Sequence, residues 1–325
     1  MRRMYSRLAC LHLILLQSAP AVDSTKTNRV AHIRPITQPY QIAATQRLPG
    51  LVSHPLLAFK GLLPGLLIRP VSADPNQTPV LHWRGIASVF QNNSQPTIWV
   101  DGLPTLSIDD HTADDWDTLT LHKNALVPGQ FGAGAGLGVL SIQTKRARWG
   151  ANGRAIRGLQ VSATGSAAQP IALALLNTDE FREVAKRNLK VFKDDPLMPD
   201  QGANTDWLGE ILRQPVVGQV GVAATGGSKH LGYYASVNYL SNPGVVKRSD
   251  YQRFSARLNT DGRWFDGRLT ASLDGSFTAA RRQQIDRFSL FFATLARPID
   301  PVFRPDGNYT EYPRLFLQRN PVATR

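Results

Sequence analysis

The sequence predicts a mixed α+β domain followed by a run of antiparallel β-strands, and three observations point there. Between Leu56 and Thr144, short apolar runs are separated by turn pairs such as Pro64-Gly65 and Asp101-Gly102. After Arg157, five segments alternate apolar and polar residues, so each would carry one face of each kind. The chain also opens with the three parts of a secretory leader.

That leader comes first. Met1 to Arg7 is a basic n-region, Leu8 to Leu16 an apolar h-region, and Ala19-Pro20-Ala21 a small-x-small cleavage site. Nine residues rise only about 14 Å as a helix, half a bilayer core, so the segment is no membrane anchor. Cys10, the one cysteine, leaves with it if cleavage follows Ala21. Disulfides, thiolate metal sites and thiol nucleophiles are then not expected. No other run of eighteen apolar residues exists, so a helical span is not expected either. The formal charge of +13 falls to +10 without Arg2, Arg3 and Arg7. Lys145, Arg146, Arg148, Arg154 and Arg157 form the one basic cluster, read as a solvated linker; no aromatic platform accompanies it, and no nucleic acid is expected.

Val22 to Gln46 is polar, carries Pro35 and Pro39, and reads as a mobile leader. Globular character begins near Leu56. A short helix ends near Gly61, a Pro64-Gly65 turn follows, and Leu66 to Arg69 reads as a strand. Further strands are predicted near 80–84, 97–100, 119–121 and 139–144; the last alternates Val139, Ser141 and Gln143 with Leu140, Ile142 and Thr144.

Beyond Arg157 the apolar phases are Leu159, Val161, Ala163; Val220, Val222, Ala224; Leu231, Tyr233, Ala235, Val237, Tyr239; Phe254, Ala256, Leu258; and Leu269, Ala271, Leu273. Connections between them are short at Gly226 to His230 and at Asp261 to Arg263, a hairpin centred on Asp-Gly. About fifty residues separate the first two strands. They include a helix from Thr178 to Phe192, capped by Asn177 with Glu180 three residues on, its apolar face Phe181, Val184, Ala185 and Leu189. On pattern alone two architectures fit equally: a transmembrane barrel, lipid outside and polar lumen inside, or a soluble β-sandwich.

The motifs decide between them. WRGIASVF (Trp83 to Phe90), TIWVDGLP (Thr97 to Pro104) and DWDTLTLHKNALVPGQFGAGAGLGVLSIQTK (Asp115 to Lys145) follow one another in about sixty residues. Their order and spacing resemble the plug domain of TonB-dependent outer-membrane transporters of the SusC/RagA branch. Asn204 to Asp261 also resembles that family's first barrel strands, so the likeness runs from Leu56 to Arg282. It implies an α+β plug domain followed by antiparallel transmembrane β-barrel strands, an incomplete barrel of about five strands. The implied divisions are residues 1–21 signal peptide, 22–50 flexible periplasmic leader, 51–150 plug, and 151–325 the N-terminal part of the barrel.

The resemblance further implies an outer-membrane importer of a glycan or peptide oligomer, worked by TonB, set in outer-membrane lipid and covered by a SusD-like lipoprotein. No cofactor is implied. The motif positions Arg84, Gly85, Asp101, Gly102, Pro104, Gly132 and Gly138 are read as structural, with Arg84 and Asp101 pairing or capping inside the plug. Gln41 to Thr45 is the only candidate for the TonB box. The family's ~22-stranded barrel would need far more than the 168 residues after Arg157, at ~9–11 residues per strand. A longer protein or a truncated product incompetent alone is therefore expected. The alternative class is a secreted, soluble β-rich binding protein built on the plug module.

Enzyme chemistry finds no support. FGAGAGLG (Phe131 to Gly138) fails the dinucleotide spacing and is followed by a strand, whereas phosphate cradling needs a helix N-terminus. Asp109, Asp110, His111, Asp114, Asp115 and Asp117 form the densest acidic cluster, but match no EF-hand loop; Asp114-Asp115 reads as an N-cap. No H-x-x-x-H or G-x-S-x-G occurs.

Overall fold

The computed structural model describes residues 10–14, 39–48, 50, 54–71, 74, 77–83, 95–105, 107–109, 111–123, 127–171, 173–187, 200–286, 288–311 and 319–324. Its strands are β1 (Cys10–Ile14), β2 (Tyr40–Ala43), β3 (Leu66–Arg69), β4 (Val80–Trp83), β5 (Thr97–Val100), β6 (Leu103–Thr105), β7 (Trp116–His122), β8 (Val139–Thr144), β9 (Gly158–Ala167), β10 (Val216–Gly227), β11 (Leu231–Pro243), β12 (Asp250–Trp264) and β13 (Leu269–Gln283). The helices are α1 (Val127–Phe131), α2 (Thr178–Arg187), α3 (Trp207–Ile211), α4 (Ser289–Leu295) and α5 (Pro321–Thr324). No described helix is long and apolar enough to cross a membrane.

The plug is a five-stranded sheet in the order β2-β7-β8-β5-β6, beside the β3–β4 hairpin. Its core forms where apolar phases of these strands meet: Leu66 and Ile68, Leu119 and Leu121, Leu140 and Ile142 are all buried. Phe59 stacks on Trp116 at 5.6 Å, closing one end. The five strands expected here are present. Two were missed because they are short: β6, and β2, which falls in the expected leader. Ile42 of β2 is buried in the core, and Tyr40 to Ala43 pair with Leu121 to Thr118 of β7. The residues proposed as a TonB box are thus largely bound into the plug sheet.

The second sheet runs β1-β13-β12-β11-β10-β9, every pair antiparallel. From β9 on, sequence order is spatial order, as the pattern predicts, and the described strands do not close. The h-region residues Cys10 to Ile14 lie along β13, from Cys10 opposite Ser276 to Ile14 opposite Ser272, as an extended segment can at any unpaired edge.

The faces of this sheet are inverted relative to a soluble protein. Val161, Val222, Val237, Ala256 and Phe277 stand opposite one another across five strands and face outward. The next row in, Ala223, Ser236, Arg257 and Ser276, faces the plug. Leu231, Tyr233, Val237 and Ala271 are exposed as expected, while Leu269 and Leu273 are partly covered.

One turn differs from expectation. The β12–β13 hairpin does not close at Asp261-Gly262, which pair with Ser272 and Ala271. It closes five residues later at the second Asp-Gly, where Phe265, Asp266 and Gly267 all take positive φ. At the opposite rim the long connections hold a separate small core of Trp207, Leu208, Ile211, Val246, Ala293 and Val322. Helix α2 starts as read. Asn177 Oδ1 accepts from Glu180 N while Glu180 Oε2 accepts from Asn177 N, both at 2.9 Å. Phe181 and Ala185 are half-buried, Val184 is exposed, and Leu189 lies outside the described residues.

Candidate functional site

The site is the seam between the plug and the polar face of the barrel wall. It has three tiers, ordered here from the short-turn rim to the long-loop rim.

At the short-turn rim the chain passes from plug to wall. Asp101 takes positive φ (50°) in the β5–β6 turn, followed by Gly102 at 83°. That turn aims the carboxylate at the end of β8, where Oδ1 accepts from Thr144 N at 2.8 Å and Oδ2 from Thr144 Oγ1 at 2.7 Å. Arg257 of the wall stands 3.6 Å from the same Oδ2. Asn259 Nδ2 donates to Thr144 Oγ1 and to Lys145 O, each at 2.8 Å. Arg146 then forks, Nη1 to Asp261 at 2.8 Å and Nη2 to Asp274 at 2.5 Å. Burial alone would lower the Arg146 pKa; Asp274 and Asp261 raise it instead. Ala147 and Trp149 lie over Gly232 of β11, where any Cβ would collide, and Arg263 covers the Trp149 ring at 3.9 Å.

In the middle tier Asp115, itself buried, accepts from Ser236 Oγ at 2.6 Å and Tyr234 OH at 3.0 Å. Burial pushes this carboxyl up, against the pull of those two hydroxyls. Asp114 accepts from Gln219 Nε2 at 2.6 Å and pairs with Arg47 at 2.5 Å.

At the long-loop side, Arg253 reaches two plug carbonyls, Asp109 O at 2.8 Å and His111 O at 2.6 Å. Arg257 donates to His111 Nδ1 at 3.2 Å. Burial, and then the Arg257 and Arg253 charges, push the His111 imidazole down to about 3, so it is neutral. His54 Nδ1 accepts from Leu56 N, which places its proton on Nε2, the donor to Asp109 Oδ1 at 2.9 Å. Burial holds His54 below its ordinary value. Burial would raise Asp109, but the His54 hydrogen bond, the Arg282 charge and the Thr78 hydroxyl outweigh it and hold this carboxyl at about 2. Outermost, Ser249 of the β11–β12 connection donates to Asp74 at 2.7 Å.

Of the motif residues, Asp101 is on the seam. Arg84 and Gly85 lie outside the described residues. Pro104 sits on β6, the edge strand, opposite Trp99, where no ladder donor is needed. Gly132 opens the turn before β8 at φ 89°. Gly138 closes it at φ 93°, with His122 O only 3.1 Å from where a Cβ would stand.

Two readings need correction. The acidic cluster is not an N-cap: Ala113–Asp115 is a single 3-10 turn whose cap residue Thr112 makes no side-chain capping bond. Asp109, Asp114, Asp115 and Asp117 instead diverge to four different partner sets. Nor is the basic cluster all solvated, since Arg146 is locked between two wall carboxylates, whereas Arg148 is exposed as read and pairs with Asp117 at 2.7 Å. Missed altogether were Tyr234, Ser236, Arg253, Arg257 and Asn259. Their signal was present: each lies in the polar phase of its strand.

No family model matches the chain. Among curated proteins it is similar to the TonB-dependent receptor SusC of Bacteroides thetaiotaomicron, 28% identical over 277 residues, covering 80% of this chain and 26% of that protein. It is also similar to the TonB-dependent receptor P26 of Formosa agariphila, 22% identical over 276 residues, 82% of this chain and 27% of that one. The chain thus spans about a quarter of the length of these relatives. Among solved structures, the RagAB peptide importer in its closed-closed state matches 84% of this chain and 35% of that one, with a TM-score of 0.69 at 20% identity. The named relatives are receptors and importers. In its motifs, its relatives and its fold the chain is similar to TonB-dependent receptors of the SusC/RagA type, over the part that holds the plug and the first barrel strands.

Proposed function

We propose that the chain is the plug-bearing part of an outer-membrane importer that takes up a glycan or peptide oligomer, with TonB as the motor and a SusD-like lipoprotein over the outer mouth. The observation that carries this reading is the inverted sheet, apolar outward, with the plug seated on its polar face. Such a wall suits a bilayer outside and a wet lumen inside. The seam's chemistry suits a part that must move. An apolar plug seat would cost ~25 cal/mol for each Å² exposed, whereas each seam hydrogen bond lost is replaced by one to water, at a net ~0.5–1.5 kcal/mol.

Likeness to the TonB-dependent receptors SusC and P26 supports TonB as the partner, and likeness to the RagAB peptide importer supports an oligomer as cargo. Import itself needs a closed barrel, because an open edge in lipid leaves backbone groups unpaired. We therefore assign transport to a receptor carrying this plug and assign the plug's seat to these 325 residues. Expressed with its leader in a host that has an outer membrane, the chain should fractionate with that membrane and need detergent for extraction. Recovery as a soluble periplasmic protein would favour the binding-protein reading. TonB-driven uptake of a labelled oligosaccharide into liposomes by this chain alone would overturn the assignment of transport to a closed receptor.

A further inference from the structure

The lowest tier of the seam holds more acceptors than donors. Asn259 is fully buried, with 0% of its surface exposed, and its amide orientation is fixed. Nδ2 donates to Thr144 Oγ1 and Lys145 O, and the Thr144 hydroxyl proton is already given to Asp101. Asn259 Oδ1 must therefore point away from both, and it has no partner among the described residues. Asn259 stands directly opposite Asp274 in the β12–β13 ladder, and Asp261 lies two residues further along on the same face. Arg146 bridges the two carboxylates through Asp261 Oδ1 and Asp274 Oδ2. The other oxygen of each, Asp261 Oδ2 and Asp274 Oδ1, is buried and without a partner as well.

Three orphaned acceptors in one patch would each carry a desolvation cost. Charge points the same way. Asp101, Asp261 and Asp274 face two guanidiniums, Arg146 and Arg257, so one negative charge is in excess. Among the described residues Lys145 makes no ion pair with them. A water would satisfy the oxygens but leave the charge. Two carboxylates and an amide carbonyl are the donor set of a hard, oxygen-seeking cation, with further positions filled by water.

We propose that Asn259, Asp261 and Asp274 bind a hard divalent cation, Ca²⁺ or Mg²⁺, at the junction of plug and wall. Bound there, the ion holds the two strands that Arg146 clamps. The site is independent of what the receptor imports.

Equilibrium dialysis of the 325-residue chain in detergent micelles against radiolabelled Ca²⁺ tests it. One ion per chain is expected; displacement by equimolar Mg²⁺ identifies the smaller ion, and resistance identifies Ca²⁺. Asn259→Leu removes one of three protein ligands and should weaken binding at least about tenfold. Asp261→Asn keeps the shape of its side chain but removes a carboxylate charge and should also weaken binding, which keeps the test decisive if the leucine variant does not fold. Absence of saturable binding at neutral pH, with a melting temperature indifferent to chelator, would mean that a shared proton on the carboxyl pair replaces the ion. That result, or binding unchanged in both variants, overturns the proposal.

Discussion

His111 and Asp115 sit four residues apart on the plug, yet meet the wall by opposite means. Asp115 brings a carboxylate to two hydroxyl donors, whereas His111 brings a ring nitrogen and a carbonyl to two arginines. The arrangement at His111 excludes a second proton: Nδ1 already accepts from Arg257, and the Arg253 charge stands beside it. With the folded value at about 3 and an unfolded value near 6.5, the unfolded chain binds the extra proton first as pH falls. Stability should therefore be flat above pH ~6.5 and decline below it, at up to about 1.4 kcal/mol per pH unit. Asp109 adds nothing in that window: its stabilising effect is intact above its unfolded value of 3.8 and is lost only as pH falls toward 2. Urea unfolding between pH 7 and 4.5 should show the decline, and His111→Asn, which keeps an acceptor for Arg257, should flatten much of it. His54 and His122, both lowered by burial, supply part of the remainder. An unchanged slope would remove His111 from the seam. Little of this was legible in the sequence, because side chains such as Arg253, Arg257 and Asn259 acquire their meaning from partners about 115–145 positions away.

At the level of elements the sequence says much more, since a strand's face and a turn's chemistry are local properties. The five barrel strands and the five expected plug strands were legible from period-2 alternation and turn residues. β2 and β6 were not, because a run of three or four residues carries too little periodicity to stand out. The hairpin slip from Asp261-Gly262 to Asp266-Gly267 has a physical cause as well. Two Asp-Gly pairs lie five residues apart, and the first is taken by the wall: Asp261 binds Arg146, and the Trp264 indole covers Gly262. Gly138 gives this scale its prediction. It combines φ of 93° with a neighbour, His122 O, 3.1 Å from any added Cβ, at the point where the turn enters β8. Gly138→Ala should cost about 1–3 kcal/mol, while Gly134→Ala, with open space around it and no positive φ, should be nearly neutral. Thermal denaturation of the two variants side by side checks it; equal melting temperatures would contradict the strained turn.

Over the whole molecule, the outward face of the second sheet sets how deeply the chain sits in a bilayer. Reading along β12, Trp264, Leu258, Ala256 and Phe254 share that face, and the next residue on it is Gln252. In the same outer row as Gln252 stand Ser241 and Arg281, while the row before it holds Tyr239 and Phe254. The ten residue steps of strand from Trp264 to Phe254 span about 34 Å, or about 26 Å along the membrane normal at a ~40° tilt, which matches the ~25 Å apolar band of outer-membrane barrels. Aromatic side chains mark both borders, Trp264 and Tyr233 on one side and Tyr239 and Phe254 on the other. A soluble sandwich would place no such borders on an exposed face. Ala235, opposite Leu258 of β12, lies near the middle of the band, so Ala235→Arg should cost about 2–4 kcal/mol on folding into lipid bilayers. Ser241→Arg, in the polar row beside Arg281, should cost about 0–1 kcal/mol. Because both residues belong to β11 and point the same way, their local strand chemistry cancels in the comparison and depth remains. Equal costs at the two positions, or an Ala235→Arg penalty of the same size in aqueous solution without lipid, would show that this face is covered by protein and not by membrane.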